Sequence, residues 1–227
     1  LNTVFVGDSG KDELINCSAP LINRITFLNG QGAAGCSQGT TTGDAVTSIR
    51  SVFGNGPGAQ TTGIDYDATY SFAALGGDFT LGFQGTQVLS YEIEAFSLNG
   101  VELASAVDGL GFANYGNSAD VVSEWRTNTS VNYSSGNHNL RYVYRFIQGV
   151  DDERFDPGEA GRNIDDFATH NLYYNYTLPW DENFVVSLAI DNLTDEDPPF
   201  TQQQYSYDPF IGNALGRTFK VGLRKTF

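Results

Sequence analysis

The last twelve residues of the chain, Gly216 to Phe227, constrain its fold most, because apolar and polar side chains alternate along them. One parity is apolar and holds Phe219, Val221, Leu223 and Phe227. The other parity holds Lys220, Gly222, Arg224 and Thr226. Side chains alternate across a β-strand with period two, so this segment predicts a strand with one apolar and one polar face. Such a strand, ending on an aromatic residue, is typical of the final strand of a bacterial outer-membrane β-barrel.

The same alternation recurs upstream in six segments. They are Ile64–Phe72, Phe79–Ile93, Trp125–Tyr133, Leu140–Phe146, Leu172–Leu178 and Phe184–Ile190. In the second segment one apolar parity is predicted to continue through Leu89 and Tyr91 to Ile93. Trp125 and Tyr133 lie at opposite ends of one outward face and suit the aromatic girdles of a membrane strand. The chain thus predicts seven strands long enough to cross a bilayer at a tilt.

The connections between these strands alternate between short and long. Ala73–Gly77, Ser134–Asn137 and Pro179–Asn183 are short and predict hairpin turns, whereas Phe96–Ala119, Gln148–Asp165 and Leu193–Leu215 are long and polar. Outer-membrane barrels have short periplasmic turns and long extracellular loops. The predicted fold class is therefore all-β, an antiparallel transmembrane β-barrel with long extracellular loops. A water-soluble β-sandwich is the alternative, and it would bury the apolar face in a core.

Composition excludes two other classes of protein. No run approaches the roughly 18–20 apolar residues of a membrane helix, which excludes a helical membrane protein. The mean hydropathy of −0.26 suits strands in which apolar and polar side chains alternate. With 27 acidic and 12 basic residues the formal net charge is −15, which argues against a nucleic-acid partner.

The odd number of strands predicts that further strands precede them, because bacterial single-chain barrels have even counts. Residues 1–60 offer two short candidates, Leu21–Leu28 and Ala45–Phe53, but are rich in Gly, Ser, Thr and Asn. We therefore expect residues 1–60 to form an extracellular loop region and residues 61–227 to form barrel strands. On this interpretation the chain is a processed product or a part of a longer polypeptide.

Two C-terminal segments, Phe184–Phe200 and Gly216–Phe227, carry a family resemblance. The matching residues are Asn192, Leu193, Asp195, Pro198, Pro199, Tyr207, Asp208, Pro209, Gly216, Arg217 and Phe219. In this order they resemble the end of a TonB-dependent outer-membrane receptor, a 22-stranded barrel plugged by an N-terminal domain. Thr194 stands where that family usually has Phe. Thr61–Tyr70 looks like the entry to one of the family's barrel strands.

The resemblance implies that the chain supplies about the last seven strands of such a barrel in the bacterial outer membrane. The parent receptor takes up a scarce nutrient, a siderophore, vitamin or oligosaccharide, by energy-coupled transport. Its implied partners are outer-membrane lipid, the N-terminal plug and earlier barrel strands, TonB acting through the plug, the barrel-assembly machinery and a small-molecule or glycan ligand. Two alternatives stay open: a small autonomous eight-stranded barrel acting as an adhesin or structural protein, and a soluble carbohydrate-binding module.

Two sets of candidate residues follow from the strands. Phe219, Val221, Leu223 and Phe227 resemble the signal that the assembly machinery recognises, although an ordinary lipid-facing strand end has the same composition. The predicted lumen-facing basic residues are Arg126, Arg141, Arg145, Lys220 and Arg224. In the family this wall meets the plug, so plug carboxylates are their expected partners and an anionic ligand is the alternative.

The loops supply weaker candidates. Gln202, Gln203, Gln204, Tyr205, Tyr207 and Asp208 combine amides, phenols and an acid suited to a polar ligand such as a glycan. Cys17 and Cys36 are expected to form a disulfide in an oxidising envelope, with free thiols or other pairings as alternatives. Two acidic groups, Asp151–Asp156 and Asp195–Asp197, suit either Ca²⁺ or solvated loops. No catalytic motif, cofactor motif or metal-ligand spacing is found, so we expect no enzymatic activity, no cofactor and no metal.

Overall fold

The computed structural model of the chain describes residue 17 and residues 22–37, 46–50, 56–98, 101–113, 121–202 and 205–227. These residues form β-strands, turns and two short 3-10 helices, Ile22–Arg24 and Gly32–Gly35, with no α-helix among them. Within these ranges no helix is long and apolar enough to cross a membrane. The chain divides into two units, residues 1–58 with 94–106 and residues 59–93 with 107–227. The prediction of an all-β protein is confirmed.

Seven long strands form one antiparallel sheet in the second unit. We label them β1 (Ala59–Ala74), β2 (Gly77–Ile93), β3 (Trp125–Ser135), β4 (His138–Ile147), β5 (Phe167–Leu178), β6 (Asp181–Asp191) and β7 (Thr218–Lys225). Each strand pairs with the next along the chain, from β1 to β7, and the two-residue strand Val107–Asp108 pairs with the end of β2. The strands predicted from alternation are confirmed as an antiparallel sheet.

Tight turns join the strands at one end of the sheet. Leu75 and Gly76 connect β1 to β2 with φ of 54° and 76°, the left-handed values that match the twist of a hairpin. Gly136, with φ of 54°, lies in the β3–β4 turn, and Pro179 follows the last residue of β5. The three longer connections, residues 94–124, 148–166 and 192–217, leave from the opposite strand ends. This sorting into short and long connections matches the sequence prediction.

One face of the sheet is apolar across all seven strands, and we call it the apolar face. The strand register aligns one complete row of cross-strand neighbours: Phe72, Phe79, Tyr133, Leu140, Tyr174, Leu188 and Val221. A second row comprises Tyr70, Leu81, Val131, Tyr142, Leu172, Ile190 and Phe219. The ring centroids of Phe72 and Phe79 are 5.3 Å apart, and those of Phe79 and Tyr133 are 4.6 Å apart. Aromatic cross-strand pairs of this kind stabilise the register.

The apolar face is not covered within the unit that contains the sheet. Leu140 and Leu188 keep 41% and 45% of their surface exposed, and Val221 on the edge strand keeps 75%. The buried hydrophobic cluster lies instead at the end of the long connections. It consists of Ala113, Val121, Val150, Ile164, Phe167 and Ile211. No second sheet packs on the apolar face among the described residues of this unit, so the arrangement differs from a two-layer sandwich.

A β-bulge corrects one part of the predicted alternation. The β1–β2 register shifts between Thr62 and Gly63, and Leu89 is the extra residue on β2. Beyond the bulge Tyr91 pairs with Thr61 and Ile93 pairs with Ala59, residues of the polar parity of β1. The prediction that Tyr91 and Ile93 continue the parity of Phe79 is therefore wrong, because one inserted residue exchanges the two faces.

The sheet is open among the described residues. The outer edges of β1 and β7 pair neither with each other nor with any other described strand. A closed barrel of the predicted kind is therefore not formed by these seven strands alone. The described parts of the predicted segments Leu21–Leu28 and Ala45–Phe53 contain short strands, Ile25–Phe27 and Val46–Ile49, which do not join the long sheet.

The first unit contains its own small sheet. Ile25–Phe27 pairs with Gly30–Gln31 and with Val46–Ile49, and Ile25 and Phe27 are buried. The predicted disulfide between Cys17 and Cys36 is present.

The remaining short strands form a hairpin and a loop sheet. These are Phe96–Leu98 with Val101–Ala104, and Phe112–Ala113 with Val150–Asp152 and Asn163–Ile164.

Candidate functional site: the polar face and its loop end

The face opposite the apolar rows is lined by polar side chains, and we call it the polar face. One row across it comprises Asn132, Arg141, Tyr173, Ala189 and Lys220. Another comprises Asp67, Gln84, Asn128, Arg145 and Thr169. Open cavities lie along this face, and one of about 730 Å³ extends from Gln84 on β2 to Ala189 on β6. The polar face is therefore a wall along which a polar partner can lie.

A ladder of amides crosses four strands of the polar face. The Asn139 amide donates hydrogen bonds to Asn132 Oδ1 at 2.9 Å and to Ser134 Oγ at 2.8 Å. Asn175 Nδ2 donates to Asn139 Oδ1 at 3.4 Å, and the Ser187 hydroxyl donates to Asn175 Oδ1 at 2.7 Å. These bonds satisfy polar side chains from β3 to β6 and hold those side chains in fixed orientations.

The five predicted basic residues all lie on the polar face, as their parity predicts. Lys220 is paired, with its Nζ 2.6 Å from Asp191 Oδ2. Asp191 Oδ1 also accepts a hydrogen bond of 2.7 Å from the Tyr173 hydroxyl. The other four are Arg126, Arg141, Arg145 and Arg224. None of these four guanidinium groups forms a hydrogen bond or ion pair with another described residue, although the charge of Arg145 interacts with the Asp191 carboxylate.

A cavity of about 560 Å³ lies where the β6–β7 connection meets the polar face. Its charged and polar lining includes Arg145, Tyr173, Asp191 and Lys220. Its apolar lining includes Ile147, Phe167, Phe210, Ile211 and Leu215. Small-molecule sites have volumes of about 300–1,000 Å³ and combine apolar walls with a few fixed polar groups. The cavity has both properties.

The Asn-Leu-Thr-Asp segment shapes the connection that borders this cavity. Asn192 has φ of 55°, in the left-handed region that Asn tolerates better than most residues. Its side chain donates to the Glu196 carbonyl and accepts from the Glu196 amide, both at 2.9 Å. Asp195 Oδ1 accepts the Arg217 amide N–H at 2.7 Å. Sequence reasoning identified these residues by resemblance, and their geometry shows a structural role in holding the two ends of the connection together.

The loop of residues 202–208, which holds the candidate ligand-binding residues, is only partly described, because Gln203 and Gln204 lie outside the described residues. Gln202 and Tyr205 are exposed, and Tyr207 is half-buried. Asp208 is buried and accepts the Phe210 amide N–H at 2.8 Å, so its carboxylate organises the loop. Among the described residues of this group, the exposed positions suited to contact with a ligand are Gln202 and Tyr205.

The first acidic loop contains arginine pairs. Arg154 holds Asp152, which is fully buried, through Nε–Oδ1 at 3.0 Å and Nη2–Oδ2 at 2.5 Å. The hydrogen bond to Asp152 raises the pKa of the Arg154 guanidinium above its ordinary value. Arg162 contacts Asp151 at 3.2 Å and Glu153 at 3.0 Å. In the described parts of the chain no three His, Cys, Asp or Glu side chains form a group that could hold a metal ion.

The candidate assembly residues lie on the free edge strand. Phe219, Val221 and Leu223 project from the apolar face of β7 with 70%, 75% and 70% of their surface exposed. Phe227 follows the strand, and the Lys225 Nζ lies 5.7 Å from the centre of its ring. This apolar edge is accessible for contact with lipid or protein.

Sequence reasoning missed two histidine–tyrosine pairs on the apolar face. His138 Nδ1 lies 2.6 Å from the Tyr174 hydroxyl, and His170 Nδ1 lies 2.5 Å from the Tyr142 hydroxyl. Both pairs cross between β4 and β5, so the signal depends on the register of these strands. Each pair satisfies a polar group on an otherwise apolar surface.

In comparisons with known proteins, no family model, curated protein or solved structure matches this chain.

Proposed function

We propose that this chain is the C-terminal part of the β-barrel of a TonB-dependent outer-membrane receptor. In this role β1 to β7 form about the last seven of 22 strands, and the tight turns face the periplasm. The receptor takes up a scarce nutrient by energy-coupled transport. The long connections contribute to ligand capture, and the polar face lines the lumen.

The observation that carries the proposal is the pair of unbroken apolar rows across all seven strands. In water, an apolar surface of this extent would be covered by a core or by a partner. In a membrane barrel the same rows contact lipid, while the polar face lines the interior. The aromatic residues along the rows fit that environment because Trp and Tyr are enriched at membrane interfaces.

The open edges support a place within a larger barrel. Each edge carries backbone N–H and C=O groups that need partners, and unpaired groups are not tolerated in the hydrocarbon region. Additional strands of the same receptor would pair with β1 and β7 and close the sheet. The rival proposal, an autonomous eight-stranded barrel, needs a strand from residues 1–60. The described residues of that region form a separate sheet, which favours the larger receptor.

The unpaired arginines support an internal partner. Arg126, Arg141 and Arg224 lie on the polar face of a chain whose formal net charge is −15. A plug domain with carboxylates at its surface would compensate these charges inside the barrel. TonB would then act on that plug, as it does in the family, and the chain described here would supply the fixed wall.

The proposal is tested on the native polypeptide isolated from its own cell envelope. Outer-membrane fractionation, detergent extraction and intact mass together give a direct result. The proposal predicts an outer-membrane protein, released only by detergent, with a mass several times 24.6 kDa. A polypeptide released without detergent would contradict the membrane assignment. A detergent-extracted protein of about 24.6 kDa would instead support the autonomous barrel.

A further inference from the structure

The 560 Å³ cavity at the loop end of the polar face is lined by one charged side chain that takes no part in its hydrogen bonds. Arg145 lines the cavity, but its guanidinium forms neither a hydrogen bond nor an ion pair with a described residue. A guanidinium offers five N–H donors in a planar fork that matches a carboxylate or phosphate. The N–H donors of Arg145 are therefore available to an anion in the cavity, while its charge interacts with the Asp191 carboxylate.

The charged groups that line the cavity have a net positive charge. Lys220 and Asp191 form an ion pair at 2.6 Å, and the Tyr173 hydroxyl donates to the same carboxylate at 2.7 Å. Counting the formal charges of the lining, two basic residues and one acidic residue give a net charge of +1. The chain as a whole carries −15, so the cavity has the opposite sign to the rest of the chain. This electrostatic environment favours an anion.

The walls around Arg145 add a second requirement. Phe167 and Ile211 are buried beside the cavity, and Phe210 and Leu215 border it from the β6–β7 connection. A hydrated inorganic anion would leave these side chains without a partner, whereas an apolar body would contact them. The two halves of the lining therefore match a molecule with a charged end and an apolar body.

We infer that the cavity binds a small organic anion in which a phosphate or carboxylate is joined to an apolar group. The anionic end pairs with Arg145, and the apolar group packs against Phe210 and Leu215. This inference rests on the proposed function, since it names the class of molecule that the receptor would capture at its loop end. It also assigns Arg145 a ligand rather than a plug carboxylate as its partner.

The test is protection of individual arginines from phenylglyoxal, measured by peptide mass spectrometry on the full native protein in detergent. The probes are phenyl phosphate, benzoate, inorganic phosphate and benzylamine. Arg126 and Arg224 are internal controls, because both lie on the polar face without an ion pair and neither lines the cavity. Arg145 should react when no probe is present, and the reactivity that the plug leaves to the two control arginines should be the same with and without a probe.

Phenyl phosphate and benzoate are expected to protect Arg145 but neither control arginine, and benzylamine should protect none. Half-maximal protection by phenyl phosphate should need about tenfold less probe than protection by inorganic phosphate, because the ring buries apolar surface. Equal protection of all three arginines, or an Arg145 that does not react, would overturn the inference. So would phenyl phosphate and inorganic phosphate acting at the same concentration.

Two matched variants test the apolar wall. Phe210→Ser should remove most of the advantage of phenyl phosphate over inorganic phosphate, and Phe200→Ser should leave it unchanged. Both side chains are exposed, at 52% and 66%, and only Phe210 lines the cavity. An equal effect of the two variants would contradict the inference. Lipid contact of the apolar face is measured separately, so failure of this test is distinguishable from failure of the proposed function.

Discussion

Two side-chain nitrogens of Arg154 donate hydrogen bonds to the Asp152 carboxylate, and Asp152 is buried. Arg154 Nη1 also donates to the Gln202 carbonyl at 2.6 Å, so one guanidinium joins the 148–166 connection to the 192–217 connection. A buried charge that loses its partner is costly. The pair is therefore a structural support of the loop end of the sheet.

Replacing Arg154 with Met should loosen both connections. The variant removes the two side-chain hydrogen bonds that Arg154 donates to the buried Asp152 carboxylate, at a cost of about 1.5–3 kcal/mol for hydrogen bonds to a charged group. Limited proteolysis of the folded protein should then cut within residues 148–166 faster than in the parent. Asp156→Asn is the control, since its exposed carboxylate forms no hydrogen bond with a described residue. Similar cleavage rates for the two variants would contradict this role.

Much of the sheet follows from local sequence, whereas its exceptions depend on distant pairing. Alternation within each segment gives the seven strands and places Arg126 and Arg141 on the polar face. The bulge at Leu89 is not visible locally, because it depends on how β2 registers with Thr62 and Gly63 of β1.

The site could be predicted only in part, for the same reason. Resemblance singles out Asn192 and Asp195, but their bonds to Glu196 and Arg217 depend on the path of the connection. The availability of the Arg145 N–H donors could not be predicted at all. It depends on Lys220 of a different strand taking the Asp191 carboxylate.

Substitution of Asn192 should lower the free energy of unfolding for two separable reasons. Asn192→Ala removes both side-chain hydrogen bonds to Glu196 and places a less tolerant residue at φ of 55°. The expected loss in unfolding free energy is about 1–3 kcal/mol. Asn192→Gly loses the same bonds but tolerates the backbone angle, so its loss should be smaller. Urea unfolding measures both, with exposed Thr194→Ala as the control, and a larger loss for Gly than for Ala would contradict the account.

The Cys17–Cys36 disulfide should stabilise the small sheet of the first unit. It closes a loop with a sequence separation of 19, for which the chain-entropy model gives about 3 kcal/mol. In a Cys17→Ser, Cys36→Ser double variant, proteolysis within residues 22–50 should accelerate, while cleavage within 121–202 should not change. Equal acceleration in both ranges would show that the disulfide supports the long sheet as well.

A charge on the apolar face should destabilise the membrane-inserted protein. Val131→Lys places an ammonium group within an apolar row, and lysine at the bilayer midplane of a barrel costs about 2–4 kcal/mol. Ser130→Lys is the matched control on the polar face of the same strand and should change stability by less than about 1 kcal/mol. Urea unfolding from lipid vesicles measures the difference. Equal losses for the two variants would mean that the faces do not differ in environment.

The most direct test of the account is whether lipid contacts one face of the sheet and not the other. Both cysteines of this chain form the disulfide, and labelling of the parent protein without an added cysteine gives the background that is subtracted. Leu188→Cys and Ala189→Cys are neighbours on β6 that face opposite sides of the sheet. Each variant of the native protein is labelled with a bimane fluorophore in vesicles that contain brominated lipid. The account predicts strong quenching at position 188 and little at position 189, and equal quenching at both positions, or none at position 188, would contradict it.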